Sequence, residues 1–485
     1  LKTFSSKLNQ ESLIKFQMMK KIPLLFLSLL AVILFFPISN LIGLQGKNEL
    51  IPVVLNSSEG FGKVSQIMQN KCVDCHAPGM LRKPFYSELP VAKQLMEKDM
   101  EQASARLSLS KKLFSGEEAF TPLMLARLEH VILNDNMPPA QYLLMHWTDS
   151  LSADEKQTIL AWVAEERVRS VWSKDATAKF KGEPVQPLPL TVSLDNEKVA
   201  LGNKLFHDRR LSGDDTLNCA SCHDLTRGGT DQAKVATGIR GQRGPINSPT
   251  VYDAMYNIAQ FWDGRAKDLQ EQAAGPVANP VEMGAKWDEV AEKLKQVPEY
   301  QEAFAKLYPE QGLTKTTVTH AIAVFEESLV AGNSRFDQYL RGNTAILSND
   351  EKQGYQLFKA NCTSCHFGPA LGGLSFEKMG VKRGYFKMRG GETTEADNGR
   401  FNVTKQEQDR HFFKVPTLRN IELTHPYFHD GSVASLTDAI RIMGEVQLDK
   451  TFTDAEIDKL AAFLKTLTGE YKGKSLRQLT AEDIQ

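Results

Sequence analysis

At 485 residues the chain has room for about three domains, and its 41% hydrophobic and 24% charged residues supply a sizeable core. A formal net charge of −1 excludes a global basic field of the kind that binds nucleic acid. No phosphate-cradling Gly-rich loop of Walker or Rossmann type stands out.

Near the N-terminus, Lys20-Lys21 precedes a largely apolar run, Ile22–Leu44. At 1.5 Å per residue such a run can cross a bilayer core of about 30 Å. Its densest part, Leu24–Phe36, also suits the apolar region of a signal peptide, but no Ala-x-Ala cleavage site follows. The expectation is that residues 1–45 form a cytoplasmic N-terminus and an uncleaved transmembrane helix. That makes the chain a single-pass inner-membrane protein, with the residues after the helix on the periplasmic side. Leu1–Gln17 receive no function.

A polar tether follows, and Gly60–Asn70 reads as a helix leading into Cys72-Val-Asp-Cys75-His76. The same spacing recurs at Cys219-Ala-Ser-Cys222-His223 and Cys362-Thr-Ser-Cys365-His366, and these motifs contain all six cysteines. Cys-x-x-Cys-His is the attachment sequence of a c-type haem. The two thiols form thioethers, and the histidine is placed to ligate the iron. A zinc ribbon would need two Cys pairs close together, and a disulfide framework would scatter cysteines elsewhere. Three covalently bound haem c groups follow, with Cys72, Cys75, Cys219, Cys222, Cys362 and Cys365 as attachment residues and His76, His223 and His366 as proximal ligands.

Within residues 46–178, Glu88–Arg106 is helical in period. Thr121 opens a helix to Leu133 with Pro122 in its first position, and Ser152 with Glu155 forms a capping box for Ser152–Arg169. This order resembles a monohaem cytochrome c domain. Met137, stiffened by Pro138 and Pro139, is the candidate sixth ligand of the first haem; His130, Met145 and His146 are its rivals. Lys179–Val192, with Pro184, Pro187 and Pro189, reads as a stiff linker. Residues 179–345 hold the second haem motif, and residues 346–485 the third with a C-terminal tail. The fold class expected is mainly α: three cytochrome c-like haem domains in tandem after an N-terminal transmembrane helix. Gly372–Asp409 reads as a surface excursion. Thr451–Thr468 reads as a closing helix, with Thr453 and Glu456 as its capping box and Ile457, Leu460, Phe463 and Leu464 on its apolar face.

Several stretches carry a resemblance. Leu211-Ser-Gly, Asn247-Ser-Pro-Thr, Gln260-Phe-Trp-Asp-Gly-Arg265-Ala and Asn279-Pro-Val-Glu-Met-Gly284 resemble the peroxidatic domain of the bacterial dihaem cytochrome c peroxidases. Pro416-Thr-Leu-Arg-Asn420 and Pro426-Tyr-Phe-His429-Asp-Gly431 resemble that family's electron-transferring domain. The added N-terminal haem domain resembles a three-haem, membrane-anchored subgroup that includes quinol peroxidases.

The resemblance implies that hydrogen peroxide is reduced at the His223 haem. It gives Glu282 as the acid/base residue, Gln272 as the amide that orients peroxide, and Trp262 as an electron bridge between two haems. Met443 is implied as the distal ligand opposite His366, which argues against the tryptophan-modifying relatives, where a tyrosine stands there. One calcium ion is implied, held by the Asn247 side chain and the carbonyls of Thr424 and Pro426. Many members carry a blocking histidine in the loop after Thr237-Gly238. Here that residue is Ile239, so the iron is expected to be open in the oxidised enzyme unless another histidine, His207 being nearest, replaces it. The donor is read as a quinol (ubiquinol or menaquinol) at the inner membrane; the alternative is a soluble periplasmic cytochrome c or cupredoxin. A third reading is a non-enzymatic multihaem electron carrier, which leaves Glu282 and Gln272 unexplained. The family resemblance also admits a homodimer.

Overall fold

The computed structural model describes residues 30–31, 34–35, 37–39, 60–77, 85–169 and 174–484. The described residues are mainly helical, with two small two-stranded antiparallel sheets. The chain divides into two compact units, Leu1–Met124 with Val131–Val163, and Leu125–His130 with Ala164–Gln485.

The first unit is built on α1 (Phe61–Lys71), α2 (Pro90–Arg106), α3 (Pro122–Leu133) and α4 (Ala153–Arg169), although the second unit takes the middle of α3 and the end of α4. Its centre is aromatic. Trp162 meets Phe61 at 5.4 Å and Phe120 edge-on at 4.9 Å between ring centroids, a geometry favoured by the ring quadrupoles. The capping signals act as their spacing predicts. Thr121 Oγ1 accepts the Met124 N–H at 3.3 Å. Ser152 and Glu155 exchange hydrogen bonds of 3.2 and 2.8 Å.

The second unit holds α5 (Asn196–Phe206), α6 (Leu269–Ala278), α7 (Trp287–Lys295), α8 (Pro298–Leu307), α9 (Lys315–Glu327), α10 (Asn349–Asn361), α11 (Leu436–Met443) and α12 (Asp454–Lys465). One core gathers Leu201, Leu205, Phe206, Ile322 and Phe325 from α5 and α9. A second gathers Tyr355, Phe358, Leu460, Phe463 and Leu464 from α10 and α12. Each fully buried side chain of this kind contributes roughly 1.5–3 kcal/mol. Two glycines let these helix pairs touch: a Cβ on Gly202 would lie 2.0 Å from the Ala321 carbonyl oxygen, and one on Gly354 2.0 Å from that of Lys459. Thr453 and Glu456 form the expected capping box on α12.

Three expectations need correction. The Pro-rich stretch after Lys179 is no free linker, because Val185 and Leu188 are fully buried. Its prolines hold an extended strap whose apolar side chains reach the core. Gly372–Asp409 is a surface excursion only in part, with residues 381–384 and 390–395 exposed. It carries β1 (Phe376–Lys378), which pairs with β2 (Phe412–Lys414), and it buries Met379, Tyr385 and Asp397.

The third correction is the membrane anchor. Most of Ile22–Leu44 lies outside the described residues, and no helix among the described residues is long and apolar enough to cross a membrane. The single-pass inner-membrane placement is overturned on that finding.

Candidate active site

Each Cys-x-x-Cys-His motif turns on a helical bend. The N–H of His76 returns to the Cys72 carbonyl at 3.0 Å, that of His223 to Cys219 at 3.0 Å and that of His366 to Cys362 at 2.9 Å. The imidazole therefore lies one turn beyond the first thiol. Each ring is fixed through Nδ1, which meets the carbonyl of Leu107 (2.7 Å), Gly229 (3.4 Å) or Leu371 (3.1 Å) respectively. Burial holds all three imidazoles below their usual pKa, His366 at about 4. A neutral ring with Nδ1 engaged leaves Nε2 as the ligand atom.

The six cysteines form no disulfides. Burial pushes the thiols of Cys75 to about 11 and of Cys72, Cys222 and Cys362 to about 12, with Cys219 also raised. Such sites disfavour a thiolate and suit an uncharged thioether. The residues present fit covalent haem.

Around the second motif, Glu282 is half-buried on the loop after α6. Its Oε1 accepts the Asn279 side-chain N–H at 2.9 Å. Burial raises its pKa, while the Arg265 guanidinium and the Asn279 bond pull the other way. Its charge also reaches Cys222, whose pKa it helps raise, so the carboxyl lies within electrostatic reach of the motif. The Ile239 N–H donates to the Glu282 carbonyl at 2.7 Å, and the Ile239 side chain is buried. Gly238 permits this approach: a Cβ there would lie 1.9 Å from the Val281 carbonyl oxygen. The loop is thus pinned to the backbone of Glu282 by a residue that cannot bind iron. His207 is exposed, with Nδ1 2.9 Å from the Asn203 carbonyl. Gln272 is half-buried on α6.

Trp262 donates its indole N–H to the Asn247 carbonyl at 2.9 Å. It packs on the same apolar cluster as Met443, the last residue of α11. Asn247 in turn donates its backbone N–H to the His429 carbonyl at 2.8 Å, three residues beyond Pro426, and its amide nitrogen to the Ala233 carbonyl at 2.9 Å. Its Oδ1 therefore points elsewhere. In the first unit, Met137 is half-buried. His146 stacks on Tyr142 at 3.9 Å, with Nδ1 3.1 Å from the Tyr142 carbonyl.

Sequence reasoning missed two buried groups. Asp397, His429 and Asp430 lie together, the only such metal-sized grouping among the described residues. Arg389 bonds both carboxylates at 2.8 Å, and His429 Nε2 lies 2.8 Å from Asp397 Oδ1. A single guanidinium already pairs with both carboxylates, which makes it an ion-pair network. Its signal was the His-Asp of the Tyr-Phe-His-Asp-Gly stretch, but the partners lie more than thirty residues away.

The second is Glu326 on α9, 4% exposed, with Oε2 lacking any hydrogen-bond partner among the described residues. It sits within electrostatic reach of Cys219, and burial raises its pKa from 4.5 to about 8. Between those values the folded chain holds a proton that the unfolded chain has released, so this group's contribution erodes stability as pH rises across that window. Glu326→Gln removes the effect. The melting temperature of the variant relative to the parent should climb from about pH 4.5 to about pH 8 and then level off. A flat difference would show that the carboxyl is not protonated in the fold.

Comparisons with known proteins agree with this geometry. A di-haem cytochrome c peroxidase family model matches residues 196–345, a haem-binding domain model residues 31–165 and a cytochrome c model residues 351–468. The chain is 43% identical over 418 residues to the cytochrome c peroxidase Ccp of Escherichia coli, covering 85% of this chain and 89% of the relative. It is 50% identical over 290 residues to the cytochrome c551 peroxidase of Nitrosomonas europaea, covering 59% and 85%. Among solved structures, a MauG-like protein associated with microbial copper homeostasis superposes with a TM-score of 0.52 at 32% identity, over 62% of this chain and 96% of that one. Motifs, buried imidazoles and relatives converge: the chain belongs to the di-haem cytochrome c peroxidase family and is a haem peroxidase.

Proposed function

We propose that the protein reduces hydrogen peroxide to two molecules of water at the His223 centre, taking two electrons from a small reduced cytochrome and two protons from solvent. The supporting observation is Glu282, a half-buried carboxyl with raised proton affinity within electrostatic reach of Cys222. Bound haem c at each of the three motifs supplies the redox chemistry.

Ionised Glu282 takes a proton from one peroxide oxygen and returns it to the leaving oxygen. Gln272 orients the peroxide. His76 with Met137, and His366 with Met443, hold the electron-carrying centres. Trp262 carries electrons towards His223. Asn247 Oδ1 with the Thr424 and Pro426 carbonyls binds one calcium ion. In support, neither carbonyl accepts a backbone hydrogen bond among the described residues.

The cytochrome donor is favoured over a quinol because the anchor that motivated a quinol has no support among the described residues, and because the Nitrosomonas relative is a cytochrome c551 peroxidase. The test is peroxide-dependent oxidation of a reduced small cytochrome by the protein as isolated, fully oxidised. Prompt turnover is expected, since Ile239 leaves the iron open. A lag removed by prior reduction would sink that reading of Ile239. Turnover with ubiquinol or menaquinol alone would move the donor to quinol.

A further inference from the structure

We propose that Lys414 is a cofactor-binding residue whose buried ammonium holds a propionate carboxylate of a haem at the junction of the Trp262 turn and the His366 pocket. The inference rests on haem attachment at these motifs, which haem content checks separately.

Lys414 is 7% exposed. Burial alone pushes its pKa down to about 8, and no carboxylate is near enough to offset that. A mostly buried ammonium without an anion is unfavourable, and the described residues place no carboxylate beside it. A c-type haem brings two propionates.

The position of Lys414 is tightly set. Its N–H donates to the Trp262 carbonyl at 2.8 Å, and it pairs with Phe376 across β1 and β2. The chain then runs directly to the third haem motif. Val415 exchanges hydrogen bonds with Gly373 (2.7 Å) and Ser375 (2.9 Å), and the backbone of Pro416 bonds the His366 ring.

Other polar groups nearby lack partners in the same way. Ser375 Oγ and Asn257 Oδ1 are buried with no hydrogen-bond partner among the described residues. Asn257 Oδ1 lies 2.1 Å from where a Cβ on Gly373 would sit. A second cation, Arg400, covers the Phe376 ring at 4.1 Å and bonds the Asp263 carbonyl at 3.4 Å. Two cations and the Ser375 hydroxyl, a donor without a partner among the described residues, match the chemistry of a carboxylate.

The experiment is spectroelectrochemical titration of the purified holoprotein and of Lys414→Met and Lys414→Arg, with resonance Raman of the propionate-bending modes. Removing the charge should lower one haem's midpoint potential, so that at a fixed poise its reduced-to-oxidised ratio falls about tenfold. It should also shift a propionate mode. Lys414→Arg should restore both. A shift at the Met443-ligated haem assigns the propionate to the His366 centre, and a shift at the His223 haem assigns it to that centre. Unchanged potentials and modes with full haem content would overturn the proposal. Haem loss at one motif would instead indict the attachment reading. If Lys414→Met does not accumulate, Lys414→Gln makes the same comparison.

Discussion

Glu282→Gln should lower peroxide turnover by about 100-fold to 10,000-fold, with haem content and the Met443-dependent spectrum unchanged. The amide keeps the shape of the side chain and its place beside Asn279 but cannot accept a proton. In the parent protein the acidic limb of the kcat/KM profile should lie above the usual carboxylate range, because burial raises the Glu282 pKa. A base must be ionised to work, so activity falls as pH drops through that raised value. The limb should vanish in the variant. Near-parent turnover, or an unmoved limb, would remove Glu282 from the acid/base role.

Arg419→Met should destabilise the second unit by about 3–5 kcal/mol, read as a fall in denaturation midpoint by circular dichroism. Arg419 and Asp337 are both fully buried and bonded at 2.8 Å. The same guanidinium donates to the carbonyls of Pro369 (2.8 Å) and Gln186 (3.0 Å). Asp337 Oδ1 also accepts the Leu188 N–H at 3.2 Å. One cation thus joins the buried strap, the Ser334 helix start and the loop after His366. Truncating it leaves a carboxylate stranded in a dry interior. The paired change Arg419→Met with Asp337→Leu should recover part of the loss, since it strands no charge, although the Pro369 and Gln186 carbonyls and the Leu188 N–H lose their side-chain partners. A loss below about 1 kcal/mol in the single variant would mean that water reaches Asp337.

What the sequence disclosed was local. Cys-x-x-Cys-His is a single turn of chemistry, and the capping boxes at Ser152 and Thr453 close over three residues. The Arg419–Asp337 pair spans 82 residues and the Arg419–Gln186 bond 233. No pattern in the chain announces such partners. The strap after Lys179 was misjudged for a related reason: proline reports a stiff path but not what the path lies against. Lys414 and Glu326 were invisible because each is one ordinary charged residue in the sequence, and only its burial makes it exceptional. Asn247, Trp262 and Met443 were singled out through family likeness alone, whereas Arg265 was quoted inside a motif without its influence on Glu282 being seen.

The core that surrounds Cys219 is completed from far down the chain. Leu476, Leu479 and Ile484 are buried in it, and Asn203 donates to the Ile484 carbonyl across 281 residues. At about 5–20 residues per second, a ribosome needs on the order of tens of seconds to cover that distance. During that interval the wall that will cover Cys219 has not yet been made. The order of assembly therefore favours haem attachment: until Leu476, Leu479 and Ile484 are in place, the second motif stays open to whatever joins haem to its thiols.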